Sequence, residues 1–205
     1  MDPTSYTAEC EEVFKVYLIL ASGSPRRRLL LEGLGLKFEV VPPSNDENME
    51  LWDDPHRLVE NLAQQKAREV SSKVKTSVVL AADTIVVKDG EVMGKPHDRL
   101  EAIKMLQQLS GGKHQVITGV CLIDMASNKE LVDSETTTVH FRTLSEPEIT
   151  RYVDSGEPFD KAGGYGIQEK GALLVSGIEG CFYNVVGLPL AKLQTMFQRL
   201  GISLL

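Results

Sequence analysis

Two uninterrupted apolar runs dominate the hydrophobic pattern of the chain. One covers residues 16–21 and the other covers residues 78–82. Because neither run alternates with polar positions, each predicts a strand that is buried on both faces of a sheet. Ser22 directly follows the first run, and Asp83 directly follows the second. The pattern therefore places both side chains at the carboxyl ends of buried strands.

Helical and strand-like patterns alternate along the rest of the chain. Apolar spacing and capping residues predict helices that begin near residues 25, 55, 98, 145 and 189. Further strands are predicted at 38–41, 85–87, 91–93, 114–124 and 130–141, and a glycine-rich loop at 156–171 is followed by short strands. The pair Asp89-Gly90 suits the turn of a hairpin. This order predicts one α/β domain with a mixed sheet over residues 16–205, after a poorly ordered acidic extension at 1–15.

Composition and charge narrow the class of protein. The 205 residues are 42% hydrophobic and 25% charged, with a net charge of −7. These values are typical of a soluble globular domain and argue against a nucleic-acid polymer or a lipid surface as partner. No apolar run approaches the roughly 20 residues that span a bilayer, and the first residues are not typical of a signal or transit peptide, so the cytoplasm is the expected location. Three cysteines and four histidines lack ligand spacing, which predicts reduced thiols and no zinc site.

Residues 22–28 carry the first candidate for chemistry, since they join a buried strand to a helix. Ser24 suits the N-cap of that helix. The next positions of the first turn include Arg26, Arg27 and Arg28, and three cations there oppose the helix dipole. A bound phosphate would compensate them, because helix N-termini present free N–H groups to anions. The alternative is that Ser24 only caps the helix and the arginines are only solvated.

Asp83, Lys66 and Lys95 are candidates for a centre that handles phosphate. A carboxylate delivered by a rigid strand suits a metal ligand or a general base, although a turn or a capped strand end is an equal alternative. Lys66 falls inside the apolar stripe of its helix, where lysine is rare, so it either snorkels to the rim or reaches a phosphate. Lys95 is a weaker candidate of the same kind, since Pro96 restricts its backbone.

Two loop segments could complete such a site. The glycines of residues 161–168 let backbone approach a ligand, and Gln168 offers both a donor and an acceptor to the edge of a base. The alternative for this segment is a flexible connector. Glu47 lies in an acidic segment that is typical of a solvated loop. Together with Asp83 it could instead supply the second carboxylate of a site for Mg²⁺ or Mn²⁺.

Seven segments in sequence order resemble the Maf family of nucleotide pyrophosphatases. They are residues 20–27, 63–67, 82–86, 94–96, 118–120, 160–168 and 184–190. The resemblance covers nearly everything from Val16 to the C-terminus. It implies an elongated mixed β-sheet flanked by helices with an active-site cleft, the inosine triphosphatase-like α/β fold, and a metal-dependent homodimer. The chain departs from the family pattern at Leu29, where an acidic residue is frequent.

The resemblance also implies a role for each candidate residue. The implied catalytic set is Asp83, Lys66, Lys95 and Glu47. Within it, Asp83 is the proton acceptor or a metal ligand, Glu47 is the second acidic ligand, and the two lysines contact phosphate. The implied residues for substrate binding and specificity are Ser22, Ser24, Arg26, Arg27, Thr84 and Gln168. Residues 82–85 and 165–168 are similar to the branch of the family that prefers dTTP and UTP.

The residues and the resemblance together predict a metal-dependent nucleoside triphosphate pyrophosphatase. Its substrates would be dTTP and UTP, with CTP or modified pyrimidine nucleotides as a wider range. Water activated at Asp83 would attack the α-phosphorus, and the products would be the monophosphate and pyrophosphate. A nucleotide-binding regulator without turnover is an alternative, which the retained carboxylates and lysines disfavour. A scaffold protein is a third alternative with little support, because no heptad pattern or exposed amphipathic helix is evident.

Overall fold

Seven strands form one mixed sheet in the computed structural model, which describes residues 17–44, 54–75 and 77–204. The strands are β1 (Leu18–Leu20), β2 (Phe38–Val40), β3 (Val78–Lys88), β4 (Glu91–Met93), β5 (Lys113–Asp124), β6 (Lys129–Phe141) and β7 (Val175–Glu179). The main order across the sheet is β2-β1-β3-β5-β6-β7, and β4 pairs with β3. Strand β1 is parallel to both β2 and β3, whereas the other pairs are antiparallel. The predicted α/β class and mixed sheet are confirmed.

Six α-helices accompany the sheet in the described ranges. They are α1 (Pro25–Gly33), α2 (Pro55–Ser71), α3 (Arg99–Leu109), α4 (Glu146–Asp154), α5 (Phe182–Val186) and α6 (Leu190–Arg199). Predicted caps are present, since Asp98 accepts the N–H of Glu101 at 2.8 Å and Glu148 accepts the N–H of Ser145 at 2.9 Å. Three short 3₁₀ segments fill the glycine-rich region, namely Glu157–Asp160, Ala162–Gly164 and Glu169–Leu174. Short strands are predicted after that region. One of them is present as β7, but residues 182–186 form the short helix α5 instead of a strand.

Strand β3 is longer than the sequence pattern predicts. The prediction ended a strand at Asp83, but β3 continues through this residue to Lys88. The reason is that β5 pairs with β3 along this length, with Gly119 opposite Asp83, so a polar residue does not interrupt the backbone ladder. The predicted hairpin turn is confirmed, and Asp89 and Gly90 adopt the positive φ angles of 53° and 86° that it requires.

Helices cover both faces of the central strands. On one face, Ala63 and Ala67 of α2 pack on β1 and β3, and on the other face Leu193 and Phe197 of α6 pack on the same strands. Residues 18–20 are therefore buried on both faces, as their uninterrupted apolar run predicts. A further apolar cluster joins α3 and α4 to the C-terminal part of β3. Among the described residues, no helix combines the length and the apolarity needed to cross a bilayer.

A gap in the sheet beside β3 positions the candidate site. Strand β1 pairs with β3 only as far as Leu20, and β4 pairs with β3 only from Val86 onward. Residues 81–85 of β3 lie between these two pairings and have no described strand beside them on that edge. Adjacent side chains of a strand point to opposite faces. A ligand in the gap can therefore reach Asp83 on one face and Thr84 on the other.

Candidate active site

A cavity of about 710 Å³ opens at this gap. Its wall is formed by the first loop (residues 22–24), by β3, by the glycine-rich region (residues 156–171) and by the segment before α6 (residues 185–187). The wall includes the predicted site residues that the structure describes, namely Ser22, Ser24, Arg26, Arg27, Lys66, Asp83, Thr84, Lys95 and Gln168. Glu47 lies outside the described residues. Chain segments that the sequence singled out one by one therefore share a single cavity.

Asp83 and Lys66 form an ion pair on the cavity wall. Lys66 Nζ lies 2.5 Å from Asp83 Oδ1. The side chain of Lys66 is only 15% exposed and that of Asp83 only 11%. Helix α2 brings the lysine this close because it rests directly on β5. A Cβ at Gly119 would lie 2.2 Å from the carbonyl oxygen of Val59 in α2, so only glycine allows this approach. The lysine that is unusual in its apolar stripe is thus directed at the aspartate.

Arg27 organises the wall on the other side of β3. Its guanidinium donates to the hydroxyl oxygens of Ser22 at 3.1 Å and Thr84 at 2.9 Å. It also donates to the carbonyl oxygen of Gly187 at 2.8 Å. The Thr84 hydroxyl lies 2.9 Å from that of Thr118 on β5. Arg27 therefore ties the first loop to β3 and to the segment before α6.

The first loop turns inward around the Ser22 hydroxyl. This oxygen accepts the N–H of Ser24 at 3.2 Å as well as the bond from Arg27. Ser24 takes the N-cap position of α1 with extended backbone, but within the described chain its side chain makes no capping hydrogen bond. Arg28 points away and pairs with Glu32 on the exposed surface at 2.7 Å. The arginines of the first turn are therefore not simply solvated, since each has a partner in the protein.

Arg26 reaches the glycine-rich region from the opposite wall. Its Nη1 lies 2.7 Å from Oδ2 of Asp160, and Lys161 Nζ lies 2.7 Å from Oδ1 of the same carboxylate. Although burial disfavours the charged form, the hydrogen bonds from Lys161 and Arg26 hold the pKa of Asp160 below its usual value. Sequence reasoning assigned no role to Asp160. An aspartate next to a lysine carries no local signal, and only the fold brings it to Arg26.

An ordered loop carries Gln168 to the cavity. Gly163 has a φ of 67° and lies so close to Val86 that a Cβ would come within 3.0 Å of its side chain. The Tyr165 hydroxyl lies 2.6 Å from Nε2 of the buried His114. Gln168 follows on the cavity wall with an exposed side chain. The segment is therefore built from defined turns that bring Gln168 to the cavity.

One carboxylate on the cavity wall could contribute to a site for a divalent cation. Among residues 17–44, 54–75 and 77–204, no group of three or more histidine, cysteine, aspartate or glutamate side chains could hold an ion. Asp83 does offer a carboxylate on the cavity wall. Mg²⁺ is commonly held by one or two carboxylates together with substrate phosphates and water, so one protein carboxylate suits such a site. The second predicted ligand, Glu47, stays a prediction.

Comparison with solved structures supports the fold. The chain is similar to a HAM1 protein from Coxiella burnetii, with a TM-score of 0.50 and 17% sequence identity. The similarity covers 90% of this chain and 99% of that chain. At this identity the likeness concerns the α/β fold alone.

Comparison of sequences establishes the family. The family model for Maf-like proteins matches residues 17–200. A dTTP/UTP pyrophosphatase from Symbiobacterium thermophilum is 53% identical over 184 residues, which cover 90% of this chain and 94% of that relative. Another, from Caldicellulosiruptor saccharolyticus, is 48% identical over 192 residues, covering 92% and 96%. The resemblance drawn from seven short segments is confirmed along nearly the whole chain, and the protein belongs to the Maf family.

Proposed function

We propose that this chain is a nucleoside triphosphate pyrophosphatase that prefers dTTP and UTP and releases the monophosphate and pyrophosphate. The observation that carries the proposal is the Asp83–Lys66 pair, a carboxylate held beside an ammonium on the wall of a cavity with further cationic side chains. The two relatives described above are named for this reaction and are 53% and 48% identical to the chain.

Cationic side chains of the cavity wall would hold the triphosphate. Arg26 and Lys95 both lie on this wall. Arg26 belongs to the first turn of α1, where free N–H groups favour an anion. Arg26 is paired with Asp160 at 2.7 Å, so a phosphate that binds Arg26 competes with this carboxylate. A bound Mg²⁺ or Mn²⁺ would neutralise phosphate charge and polarise the anhydride. Arg27, with three protein acceptors, keeps the first loop in the shape that binding requires.

Asp83 would act as the proton acceptor for the attacking water. The water oxygen forms a bond to the α-phosphorus while the bond from this phosphorus to the α–β bridging oxygen breaks, and pyrophosphate leaves with the electron pair. The carboxylate of Asp83 takes the proton of the water. The Lys66 ammonium, 2.5 Å from Asp83 Oδ1, orients the carboxylate and adds positive charge where the transition state accumulates negative charge.

Gln168 would distinguish the bases. Its amide can donate to O4 and accept from N3–H of uracil or thymine, and the rotated amide can pair with cytosine. This is why CTP and modified pyrimidine nucleotides belong to the proposed range. Arg26 and Thr84 complete the proposed specificity set, with Thr84 held in place by Arg27 at 2.9 Å. Guanine offers a similar pair at O6 and N1–H, but a purine places this edge farther from the ribose. An amide held at the distance of a pyrimidine edge is therefore misplaced for GTP and ATP, which gives the discrimination.

The proposal is tested with purified protein and a panel of dTTP, UTP, CTP, GTP and ATP, each with Mg²⁺ or Mn²⁺ and with excess chelator. Monophosphate, diphosphate, pyrophosphate and orthophosphate are measured separately. We expect monophosphate and pyrophosphate, highest kcat/KM for dTTP and UTP, and no turnover with chelator. Diphosphate and orthophosphate as products would contradict the proposal, and equal kcat/KM for UTP and GTP would contradict the base preference.

Asp83→Asn tests the catalytic assignment, because it keeps the shape of the side chain but removes its charge and basicity. We expect kcat to fall about 10²–10⁴-fold with an unchanged circular dichroism spectrum. Asp133→Asn is the matched control, because Asp133 on β6 is a partly buried carboxylate paired with Lys192 at 2.8 Å and is not part of the described cavity wall; it should retain activity. An Asp83→Asn variant with more than about half of the wild-type rate would be incompatible with a general base of this strength.

The family resemblance also implies a homodimer in the cytoplasm. The oligomeric state is measured by light scattering coupled to size-exclusion chromatography, and a monomeric mass would contradict this part of the proposal.

A further inference from the structure

The loop that carries Gln168 is folded around one carboxylate outside the cavity wall. Glu157 Oε1 accepts the N–H of Gly171 at 3.1 Å, and Oε2 accepts the N–H of Lys170 at 3.2 Å. The Tyr152 hydroxyl donates to Oε1 at 3.1 Å. Three donors from separate positions therefore converge on one side chain, and hydrogen bonds to a carboxylate are among the stronger ones in proteins.

Tyr152 extends this anchor to the start of the loop. Its hydroxyl oxygen accepts the N–H of Gly166 at 3.3 Å, while its proton is shared with Glu157. Burial, together with the neighbouring Glu157 carboxylate, raises the pKa of Tyr152, so the hydroxyl keeps its proton and both bonds. Gly166 and Gly171 lie on either side of Gln168 in the sequence, and the same two side chains hold both of them.

The backbone next to Gln168 needs such support. Glu169 adopts a φ of 53°, a conformation that a residue with a Cβ takes at a cost. The two ends of the loop also touch, since a Cβ at Gly171 would lie 2.0 Å from the carbonyl oxygen of Gly166. A backbone of this kind persists only when surrounding contacts hold it, and the carboxylate of Glu157 provides contacts on both of its oxygens.

Glu157 and Tyr152 do not belong to the described wall of the cavity. Both come from the region of α4 and the 3₁₀ turn that follows it, and Glu157 is half-buried. Lys161, which does lie on the wall, donates to the backbone carbonyl oxygen of Glu157 at 2.7 Å. The contact with Lys161 uses the backbone of Glu157, whereas its side chain contacts the loop. An effect of the Glu157 side chain on a bound nucleotide therefore passes through the loop.

We infer that Glu157, assisted by Tyr152, is a positioning residue for nucleotide selectivity: it fixes residues 166–171 so that the Gln168 amide is held at the edge of the base. The inference rests on the proposed function, because it deepens the role assigned there to Gln168. A displacement of about 1 Å in a group that aligns a substrate changes rates by up to about 100-fold, so the hydrogen bonds of Glu157 have a measurable consequence.

The test compares Glu157→Gln and Tyr152→Phe with the wild type. Gln keeps the size of the side chain but replaces one acceptor oxygen with an NH₂ group that cannot accept the backbone N–H. We expect the ratio of kcat/KM for UTP to that for GTP to fall about 10-fold in Glu157→Gln, mainly through KM for UTP. Tyr152→Phe should change the ratio in the same direction by a smaller factor. Hydrogen exchange should become faster at the amides of Lys170 and Gly171 in Glu157→Gln.

Asp154→Asn is the matched control, because Asp154 ends α4 and pairs with Arg99 at 2.7 Å on the exposed surface. It should leave the ratio and the exchange rates unchanged. The double variant Glu157→Gln/Gln168→Ala should have the same ratio as Gln168→Ala alone, since a residue that acts through Gln168 has nothing left to position.

Three outcomes would overturn the inference. An unchanged ratio in Glu157→Gln, beside a lowered ratio in Gln168→Ala, would leave the proposed function intact and remove Glu157 from it. A further loss in the double variant would show that Glu157 acts independently of Gln168. A wild-type enzyme that does not distinguish UTP from GTP would remove the selectivity itself.

Discussion

At the scale of single residues, the cavity depends on opposite charges that come from different segments. Lys66 on α2 meets Asp83 on β3, and Arg26 on α1 meets Asp160 in the glycine-rich region. The first pair is the more buried, since the side chains of Lys66 and Asp83 are 15% and 11% exposed. Those of the second pair are 26% and 59% exposed. Separating charges that are shielded from water is costly, whereas an exposed pair contributes little. The Lys66–Asp83 pair should therefore affect stability as well as catalysis.

Lys66→Met tests this pair. Methionine fills a similar volume but leaves the Asp83 carboxylate without its partner at 2.5 Å. Removing one side of a buried ion pair is strongly destabilising, and we expect a loss of about 3 kcal/mol in the free energy of unfolding, measured with urea. We also expect kcat/KM for UTP to fall about 100-fold, because the charge proposed to stabilise the transition state is removed.

The controls for this variant come from the same helix and the same pair. Arg68→Met removes an exposed cation of α2 that is paired with Glu130, and should change stability by less than about 1 kcal/mol. Adding Asp83→Asn to Lys66→Met should restore most of the lost stability but none of the activity. If the double variant stays as unstable as Lys66→Met, the loss comes from the packing of the lysine stem and not from the charge.

At the scale of elements, the contact between α2 and β5 sets where Lys66 can reach. Gly119 lies opposite Asp83 in the pairing of β5 with β3. A Cβ at this position would lie 2.2 Å from the carbonyl oxygen of Val59 and 2.7 Å from the backbone nitrogen of Glu60. Both atoms belong to the backbone of α2, which cannot yield as a flexible side chain would. Any side chain at residue 119 therefore has to push the helix away from the sheet.

Gly119→Ala should separate Lys66 from Asp83 without changing either residue. We expect a loss of about 3 kcal/mol in stability, which is typical of overpacking, and a clear loss of kcat. Thermal unfolding and UTP turnover are the measurements. Gly177→Ala on β7 is the control, because a Cβ there meets nothing within 4 Å. Wild-type melting temperature and activity in Gly119→Ala would show that the approach of α2 does not position the lysine.

At the scale of the whole molecule, a buried histidine makes stability depend on pH. His114 is 3% exposed and packs edge-on against Phe141 and Tyr165, with centroids 5.1 and 5.3 Å away. Burial above all, followed by the charges of Lys88 and His140, lowers the pKa of His114 from 6.5 to about 4. The folded protein therefore holds this imidazole neutral at a pH where the unfolded chain already binds a proton.

The direction of the pH effect follows from this difference. Between pH 6.5 and about 4 the unfolded state binds more protons, so the free energy of unfolding should fall as the pH falls through this window. The loss should reach up to about 3 kcal/mol. Hydrogen bonds from Ser145 lower the pKa of Glu148 from 4.5 to about 2. The stability that this carboxylate contributes is therefore lost only as the pH falls below 4.5.

Urea unfolding at pH 7.5, 6.5, 5.5 and 4.5 measures this dependence for the wild type and for His114→Gln. The variant is expected to be less stable at pH 7.5, because it changes the hydrogen bond of 2.6 Å between His114 and Tyr165. Its free energy of unfolding should depend less steeply on pH between 6.5 and 4.5 than that of the wild type. Equal slopes in the two proteins would assign the pH dependence to other groups.

The sequence alone determined the elements whose signals are local. Helices α1 and α2 begin at the predicted residues, because Pro25 and Pro55 suit a first turn and Asp54 caps its own helix through the N–H of His56. The turn at 89–90 follows from its two residues in the same way. The sequence could also indicate which side chains are chemically unusual for their place, such as a lysine within an apolar stripe.

Only the tertiary structure decided how these side chains meet. The ladder from β5 carries β3 through Asp83, so the predicted end of a strand became the middle of one. Lys66 and Asp83 are 17 positions apart, and Arg26 and Asp160 are 134 apart. No local pattern records such partners, because a side-chain hydrogen bond depends on distances of a few ångströms between segments. In this protein those distances are set by how closely α2, β3 and the glycine-rich region pack, with Gly119 and Glu157 among the residues that allow or hold that packing.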